Sequence, residues 1–417
     1  MSPSRPKKRT AGGAETAWVN DREGVARVAK SLSPSKIIAF DTEFLREKTF
    51  YPKLALLQVA DRENAWLIDP LALTADEMQP LLKIFTDPGI LKIAHAAEQD
   101  QECLHHSYGV LASPLLDTSI AAALTGHGDQ IGLGPMLRKL LDIKLPKGHT
   151  RTDWTKRPIP PAMAEYALGD VSHLVEAAEI LLLDLDKTGR RDWAMSLSAV
   201  YADPRRYEPD PDAIATRLVS GRSAGVQTYA VLRELVHWRE NKVRKADVPR
   251  RWAAEDSVLL GLASAKPSNL EELSHFRGLG PKLIEKEGKL ILEAIQRGLD
   301  LPPEERPSPP RKPQADSEEA PAVSVLKCFL NLLAREHKIP ARYLIDTDDI
   351  VKLLRSSFSN ISELRESGLL KPGVSDEVGE VLLEVLNGHR ALTFSKGSVK
   401  YIEVPSGQAG RKNLSSR

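Results

Sequence analysis

Asp41 and Glu43 stand at the end of the apolar run IIAFDTEFL, residues 37–45. Two apart on a strand, their side chains leave the same face, where like charges repel unless a cation or a proton separates them. Hard divalent ions such as Mg²⁺ or Mn²⁺ take carboxylate oxygens, so a cation is one answer to that repulsion. A strand that has simply reached solvent is the other, since a lone DxE is commonly plain surface charge. Asp100, in KIAHAAEQDQECL, falls where a strand hands over to a helix. An acid in a first helical turn suits the macrodipole without any further role. Tyr166 and Asp170, in EYALGDVSHL, are four apart and lie one above the other on a helix face beside its apolar stripe. Taken singly, Tyr166 reads as the rim of a core and Asp170 as a solvated helix acid.

Basic side chains gather in two places. KGHTRTDWTKRP brings Lys147, His149, Arg151, Lys156 and Arg157 around Trp154. Phosphate contacts beside a stacking ring suit single-stranded nucleic acid. The competing reading is a solvated loop with Trp154 tucked into the core. Farther on, HWRENKVRKADVPRRW sets Arg239, Lys242, Arg244, Lys245, Arg250 and Arg251 between Trp238 and Trp252. Arg244 and Lys245 are candidate nucleic-acid contacts there, although a charged helix face ordinarily serves solvation. His95 reads as a structural strand-end histidine, and Asp117, in LLDTSIAAAL, as a helix N-cap.

The elements that must position these groups follow from periodicity. IIAFDTEF, LALLQVAD, AWLIDP and LKIAHA have strand length between turn or charged residues. EMQPLLKIF, EQDQECLHHSYG, LLDTSIAAALTG and GPMLRKLLDI read as helices, as does one long helix from Pro160-Pro161 through LLLDLDKTG. Strands close together and then alternating with helices predict a mixed sheet flanked by helices over 18–200. A Pro- and Asp-rich connector spans 201–214, and a helical block spans 215–300. A Pro- and charge-rich flexible linker covers 301–322. A second helical block follows at 323–395, then a polar tail at 396–417. Its NISELRESGLLKPGVSDEVGEVLLEVLNGHRAL echoes NLEELSHFRGLGPKLIEKEGKLILEAIQRGL, which suggests a diverged repeat of one all-α module.

At 417 residues the chain exceeds one ordinary core. Its 58 Lys and Arg against 57 Asp and Glu give a formal net charge of +1, so no global basic excess advertises nucleic acid. Two cysteines, Cys103 and Cys328, exclude a disulfide framework and fit a reducing cytosol. No apolar run approaches the roughly 20 residues that span a bilayer, so no membrane role is expected. Residues 1–17 lack the apolar centre of a signal peptide and read as a disordered polar tail.

In order and spacing, D-x-E on a first strand, an Asp some sixty residues on, then Y-x-x-x-D on a helix resembles the three motifs of the DEDDy 3′→5′ exonucleases. The match to the ribonuclease D family is closer. FDTEF, LALLQVAD, HAAEQD, LLDTSIAAAL, KGHTRTDWTKRPIP and EYALGDVSHL look like that family's successive blocks. The block from Tyr229 through IEKEGKLILEAI resembles an HRDC domain, and 323–395 fits a diverged second copy. The resemblance implies a ribonuclease-H-like α/β exonuclease domain followed by two small helical bundles. It further implies an exoribonuclease that trims RNA such as tRNA precursors and releases nucleoside 5′-monophosphates; the cysteine usage places it in the cytoplasm, and a monomer is expected although the sequence does not give the oligomeric state. Two divalent ions, Mg²⁺ or Mn²⁺, would be ligated by Asp41, Glu43, Asp100 and Asp170, with Tyr166 orienting the attacking water. A DNA exonuclease of the same fold and a catalytically silent RNA-binding protein are the rival readings.

Overall fold

The computed structural model describes residues 17–146, 152–208, 210–222, 224–309 and 313–404. Six strands, β1 (Trp18–Val19), β2 (Ile37–Leu45), β3 (Lys53–Ala60), β4 (Ala65–Ile68), β5 (Leu91–Ala94) and β6 (Leu115–Asp117), form one sheet of order β1-β4-β3-β2-β5-β6. The sheet is mixed: β2 runs antiparallel to β3 and parallel to β5, and β1 runs parallel to β4. In chain order the helices are α1 (Arg22–Leu32), α2 (Ala75–Thr86), α3 (Glu98–Tyr108), α4 (Thr118–Leu124), α5 (Leu133–Leu141) and α6 (Pro161–Ser172). Next come α7 (Leu174–Lys187), α8 (Arg191–Ala199), α9 (Pro211–Val219), α10 (Val226–Ala246), α11 (Arg250–Ala253) and α12 (Asp256–Ala265). The last are α13 (Leu270–Ser274), α14 (Pro281–Asp300), α15 (Glu319–Glu336), α16 (Ile350–Arg355), α17 (Ile361–Glu366) and α18 (Asp376–Leu386).

Strand alternation sorts the sheet into two faces. Ile38, Phe40, Leu57, Val59 and Ile68 point to one, where α1 supplies Val25, Val28 and Leu32 and α2 supplies Met78, Leu81 and Phe85. Leu56 and Leu67 point to the other, beneath Met163, Ala164, Ala167 and Leu168 of α6. Asp21 caps α1, and Thr74 with Glu77 forms a capping box on α2, so both helices start where the sequence supplies partners for the first free N–H groups.

The chain divides into two compact units. The first comprises Met1–Leu115, Leu145–Val175 and Ala199–Lys312. It holds the sheet from β1 to β5, α1–α3, α6 and a helical module, α9–α14. That module packs Leu232, Leu235 and Val236 of α10 against Leu259, Leu262, Ile291 and Ile295. At Gly298 the backbones of α14 and α10 approach so closely that a Cβ would lie 2.5 Å from Val231 Cα. The second unit comprises Leu116–Lys144, Glu176–Ser198 and Pro313–Arg417. Arg190 joins its segments by donating to the carbonyls of Leu124 (2.7 Å) and His337 (2.9 Å). Trp193 meets Tyr343 edge-on at 6.3 Å. These units cut across the domain boundaries read from sequence, since 116–144 and 176–198 cluster with the C-terminal segment.

Two expectations change. The long helix expected from Pro160 is two helices, broken at His173, where the Ser172 hydroxyl bonds back to the Leu168 carbonyl. The polar tail begins instead as an antiparallel hairpin, β7 (Arg390–Ser395) with β8 (Ser398–Glu403). Lys396 and Gly397 both take positive φ in its two-residue turn, as a primed turn requires. The N-terminal tail through residue 16 lies outside the described residues. Among the described residues no helix is long and apolar enough to cross a membrane, and Cys103 and Cys328 are both free.

Candidate active site

β2 is the platform. It pairs with β5 only over Ile37–Ala39, so beyond Ala39 its edge on that side is open. There α3, following β5, brings in Asp100. The Thr42 backbone N–H (3.0 Å) and Thr42 Oγ1 (2.5 Å) both donate to Asp100 Oδ1. On its other side β2 stays paired with β3, and a register shift between Glu43 and Phe44 ends the regular ladder beside the acids. Overhead, α6 carries Tyr166 and Asp170, one turn apart. Its anchors are Ala164, Ala167 and Leu168 on Leu56 and Leu67. Asp41, Glu43 and Asp170 each offer an oxygen, and the three lie within 4.8 Å of one another. Asp100 lies outside that tight triad but couples to it electrostatically.

Four of the five groups are perturbed. Burial, then the charges of Asp100, Asp170 and Glu43, holds Asp41 well above the usual carboxylate range. Burial and the charges of Asp170 and Asp100 push Glu43 up to about 8. Asp170 rises to about 7, chiefly by burial, although a hydrogen bond from Tyr166 favours its charged form. Tyr166 is raised by burial and by the charges of Asp170, Glu43 and Asp41, so it stays protonated through neutral pH. Asp100, 6% exposed, completes the set. Carboxylates at this spacing, two of them buried and two half-buried, are costly unless positive charge lies among them.

The oxygen-only donor set fits a hard divalent cation. A second observation agrees. Gln58 lies directly opposite Asp41 across β2 and β3, hence on the same face. It is fully buried, and neither its amide nitrogen nor its amide oxygen has a protein partner. Thr42, which holds Asp100, and Gln58, buried beside Asp41, are the residues of the cluster's surroundings that sequence reasoning missed. The available signal was a lone amide in LALLQVAD and the hydroxyl at the centre of DTE.

The basic candidates fare differently. Trp154 is 3% exposed and packs in the core with Leu56 and Ala167, its ring 6.2 Å from that of Tyr166. A ring so buried cannot stack on a base. Arg157 grips Asp69 through two bonds (2.7 and 2.6 Å), donates to the Ala55 carbonyl and lies 5.3 Å over the Trp18 ring. It staples the segment before α6 to β3 and β4, which corrects the expectation that it contacts phosphate. Lys147, His149 and Arg151 lie outside the described residues. Arg244 covers the Phe50 ring at 5.9 Å, and Lys245 is exposed. The Asp117 side chain caps α4 by accepting from Ser119, as expected.

Residues 16–186 match the family model for a 3′-5′ exonuclease, and residues 229–295 match that for the HRDC domain. Among curated proteins, the Ribonuclease D of Zymomonas mobilis is 33% identical over 385 residues, 91% of this chain and 96% of the relative. That of Nitrobacter hamburgensis is 32% identical over 382 residues, 91% of this chain and 97% of the relative. The crystal structure of Escherichia coli RNase D, described as an exoribonuclease involved in structured RNA processing, superposes with a TM-score of 0.75. It shares 28% identity and covers 89% of this chain and 97% of its own. With the acids in their family order and the HRDC match behind them, the chain belongs to the ribonuclease D family of 3′–5′ exoribonucleases.

Proposed function

We propose that this chain trims RNA 3′ ends, tRNA precursors among them, releasing nucleoside 5′-monophosphates with two divalent cations, Mg²⁺ or Mn²⁺. The observation that carries the reading is the convergence of Asp41, Glu43 and Asp170 within 4.8 Å, with Tyr166 bonded to Asp170 beside them. Those three carboxylates, with Asp100 behind, would hold the ions. Bound there, the cations would acidify water and offset charge on the attacking and departing oxygens of an in-line displacement.

The chain's own residues do the rest. Thr42 fixes one Asp100 oxygen through two donors. Tyr166, protonated at working pH, serves as a hydrogen-bond donor that positions water rather than as a base. Packing of α6 over Leu56 and Leu67 keeps Asp170 and Tyr166 in register with Asp41 and Glu43. Lys245, exposed in the last turn of α10, remains a phosphate contact in this reading, with Arg244 beside it. We place the enzyme in the cytoplasm as a monomer, in keeping with its two free cysteines.

We also read 323–395 as a diverged second copy of the helical module. Asn269 caps α13 by accepting from Glu272 N, while Ser268 N donates to Glu272. Asn360 and Ser359 repeat both bonds with Glu363 at the start of α17. Gly288 lies against Leu270 and Gly379 against Ile361, at the same interval in each copy.

A time course on 5′-labelled and 3′-labelled RNA and DNA, with Mg²⁺, Mn²⁺ or EDTA, tests the function. The expected result is a ladder from 5′-labelled RNA, immediate release of the 3′ label as mononucleotide, and silence in EDTA. Endonucleolytic fragments, or equal activity in EDTA, would overturn it.

A further inference from the structure

From residue 54 to residue 60, β3 is buried on both faces and apolar with one exception. Gln58 stands inside that run, 0% exposed, and neither end of its amide has a protein partner. Burying an unpaired amide is costly, and a leucine would continue the apolar run without that cost. Elsewhere the fold satisfies its buried polar groups. Gln101, fully buried on α3, donates to the Ala112 carbonyl (2.8 Å) and accepts from the Ala112 N–H (2.7 Å). Lys92, buried on β5, donates to the carbonyls of Asp87 and Ile90 (2.6 Å each). Gln58 is thus a donor and acceptor held in place by the fold but not used by it.

Its register names the group it serves. Gln58 lies directly opposite Asp41 on β2 and directly opposite Leu67 on β4. Opposed residues share a face, with Cβ atoms about 5 Å apart, within reach of a glutamine arm. Leu67, and Leu56 two residues before Gln58, both pack beneath α6. Of the two cross-strand neighbours only Asp41 carries a polar side chain, and as an ionised ligand it can only accept hydrogen bonds. Carboxylates that hold a metal are themselves held by donors outside the ligand set. Asp100 has Thr42, and Asp170 has Tyr166. Gln58 is the corresponding side chain for Asp41.

We propose that Gln58 is a positioning residue of the metal site, whose amide N–H donates to the Asp41 carboxylate and fixes its orientation when Asp41 ligates a divalent cation. This rests on the metal-dependent exoribonuclease reading and deepens it. The unpaired amide destabilises the metal-free protein and strengthens cation binding in the loaded one.

The test is Gln58→Met in the full chain, which keeps the length of the side chain and removes its hydrogen bonding. Gln101→Met is the comparison for an amide that serves the fold. Gln58→Met should leave the metal-free Tm unchanged or raised, whereas Gln101→Met should lower it by calorimetry. By isothermal titration, the Mn²⁺ Kd of Gln58→Met should weaken about tenfold. At limiting Mn²⁺ its kcat on a short RNA should fall by a similar factor with KM unchanged, and excess Mn²⁺ should restore most of the activity. Gln58→Leu, which matches the rest of β3, should repeat these results and guards against misfit of the methionine. An unchanged Mn²⁺ Kd in both variants overturns the proposal, as does a metal-free Tm that falls as in Gln101→Met. A raised KM for RNA with metal affinity intact also overturns it and sets Gln58 against the substrate. A wild type that binds no Mn²⁺ instead refutes the metal-dependent reading itself.

Discussion

Asp41 bears the largest conflict in the cluster, because burial and three neighbouring acids all oppose its charge. Asp41→Asn removes a ligand and relieves that repulsion at once. Hydrolysis should fall by at least about a thousandfold, the worth of several kcal/mol of charge stabilisation, while RNA affinity holds and the metal-free Tm rises. Activity assays, RNA binding and calorimetry on one preparation check all three. The same repulsion sets a pH dependence. Glu43 moves from 4.5 to about 8 and Asp170 from 3.8 to about 7 on folding. Between those values the unfolded chain has released protons that the folded chain retains. The contribution of these two groups to the stability of the metal-free protein is therefore fully present below about pH 4 and is lost as pH rises toward 8. Mg²⁺ or Mn²⁺ should raise the Tm far more at pH 8 than at pH 5, and a flat profile would remove the cluster from the account. Thr42→Val keeps the backbone donor to Asp100 but deletes the hydroxyl, and kcat should drop roughly ten- to a hundredfold with KM little changed. The pairs Asp41/Glu43 and Tyr166/Asp170 were legible as same-face groups from their short spacings, whereas Asp100 and the grouping of all five came from the family resemblance. Thr42 and Arg157 were not legible, because their partners, Asp100 and Asp69, are set by tertiary packing far along the chain.

At the scale of elements, the turn between α10 and α11 is hooked to the loop that joins β2 to β3. Asp247 Oδ1 accepts from the N–H of Phe50 (2.9 Å) and of Tyr51 (3.1 Å). Phe50 sits among Val243 and Ala253, with the Arg250 guanidinium 4.8 Å over its ring. The strand pair that carries Asp41 and Glu43 is thus tied to the helical module through one carboxylate. Asp247 also holds φ at 46°, a left-handed conformation that Asn tolerates and Ala resists. Asp247→Ala should lower the Tm by roughly 2–4 °C, and Asp247→Asn should restore most of it. Differential scanning calorimetry of both variants reads the hook directly, and a wild-type Tm in Asp247→Ala would show that neither bond nor backbone matters there. Apolar runs of strand length exposed β2 and β3 well, β3 being buried on both faces, and three-to-four spacing exposed α10. Periodicity failed at His173, whose non-helical backbone (φ −116°, ψ 3°) breaks α6 from α7 inside an unbroken apolar pattern. The β7–β8 hairpin was missed because its Lys396-Gly397 turn lies in polar sequence that looked like a tail.

For the whole molecule, the decisive feature is that the second unit is assembled from three separate stretches of chain. Residues 116–144 and 176–198 belong by sequence to the exonuclease segment, yet their packing partners lie beyond residue 313. Arg190 bonds the His337 carbonyl, Arg342 pairs with Asp129, and Trp193 packs on Tyr343. Gly373, at a φ of 87°, lies so close to the Trp193 ring that a Cβ would come within 2.4 Å of Trp193 Cδ1. Were 323–395 a free-standing appendage, a chain ending at residue 312 would keep the exonuclease intact. The packing argues otherwise. Truncation exposes the buried Trp193 and leaves the half-buried Arg190 short of an acceptor, so apolar surface and an unsatisfied cation appear together. The shortened chain should bind a hydrophobic dye, lose several degrees of Tm and aggregate on heating. It should also cleave more slowly even those substrates too short to need the helical modules. Arg190→Met in the full-length chain, which removes only the two carbonyl bonds, should give a smaller loss of Tm in the same direction. A truncated chain with native Tm and no dye binding would show that the C-terminal segment is dispensable to the fold and acts on RNA alone.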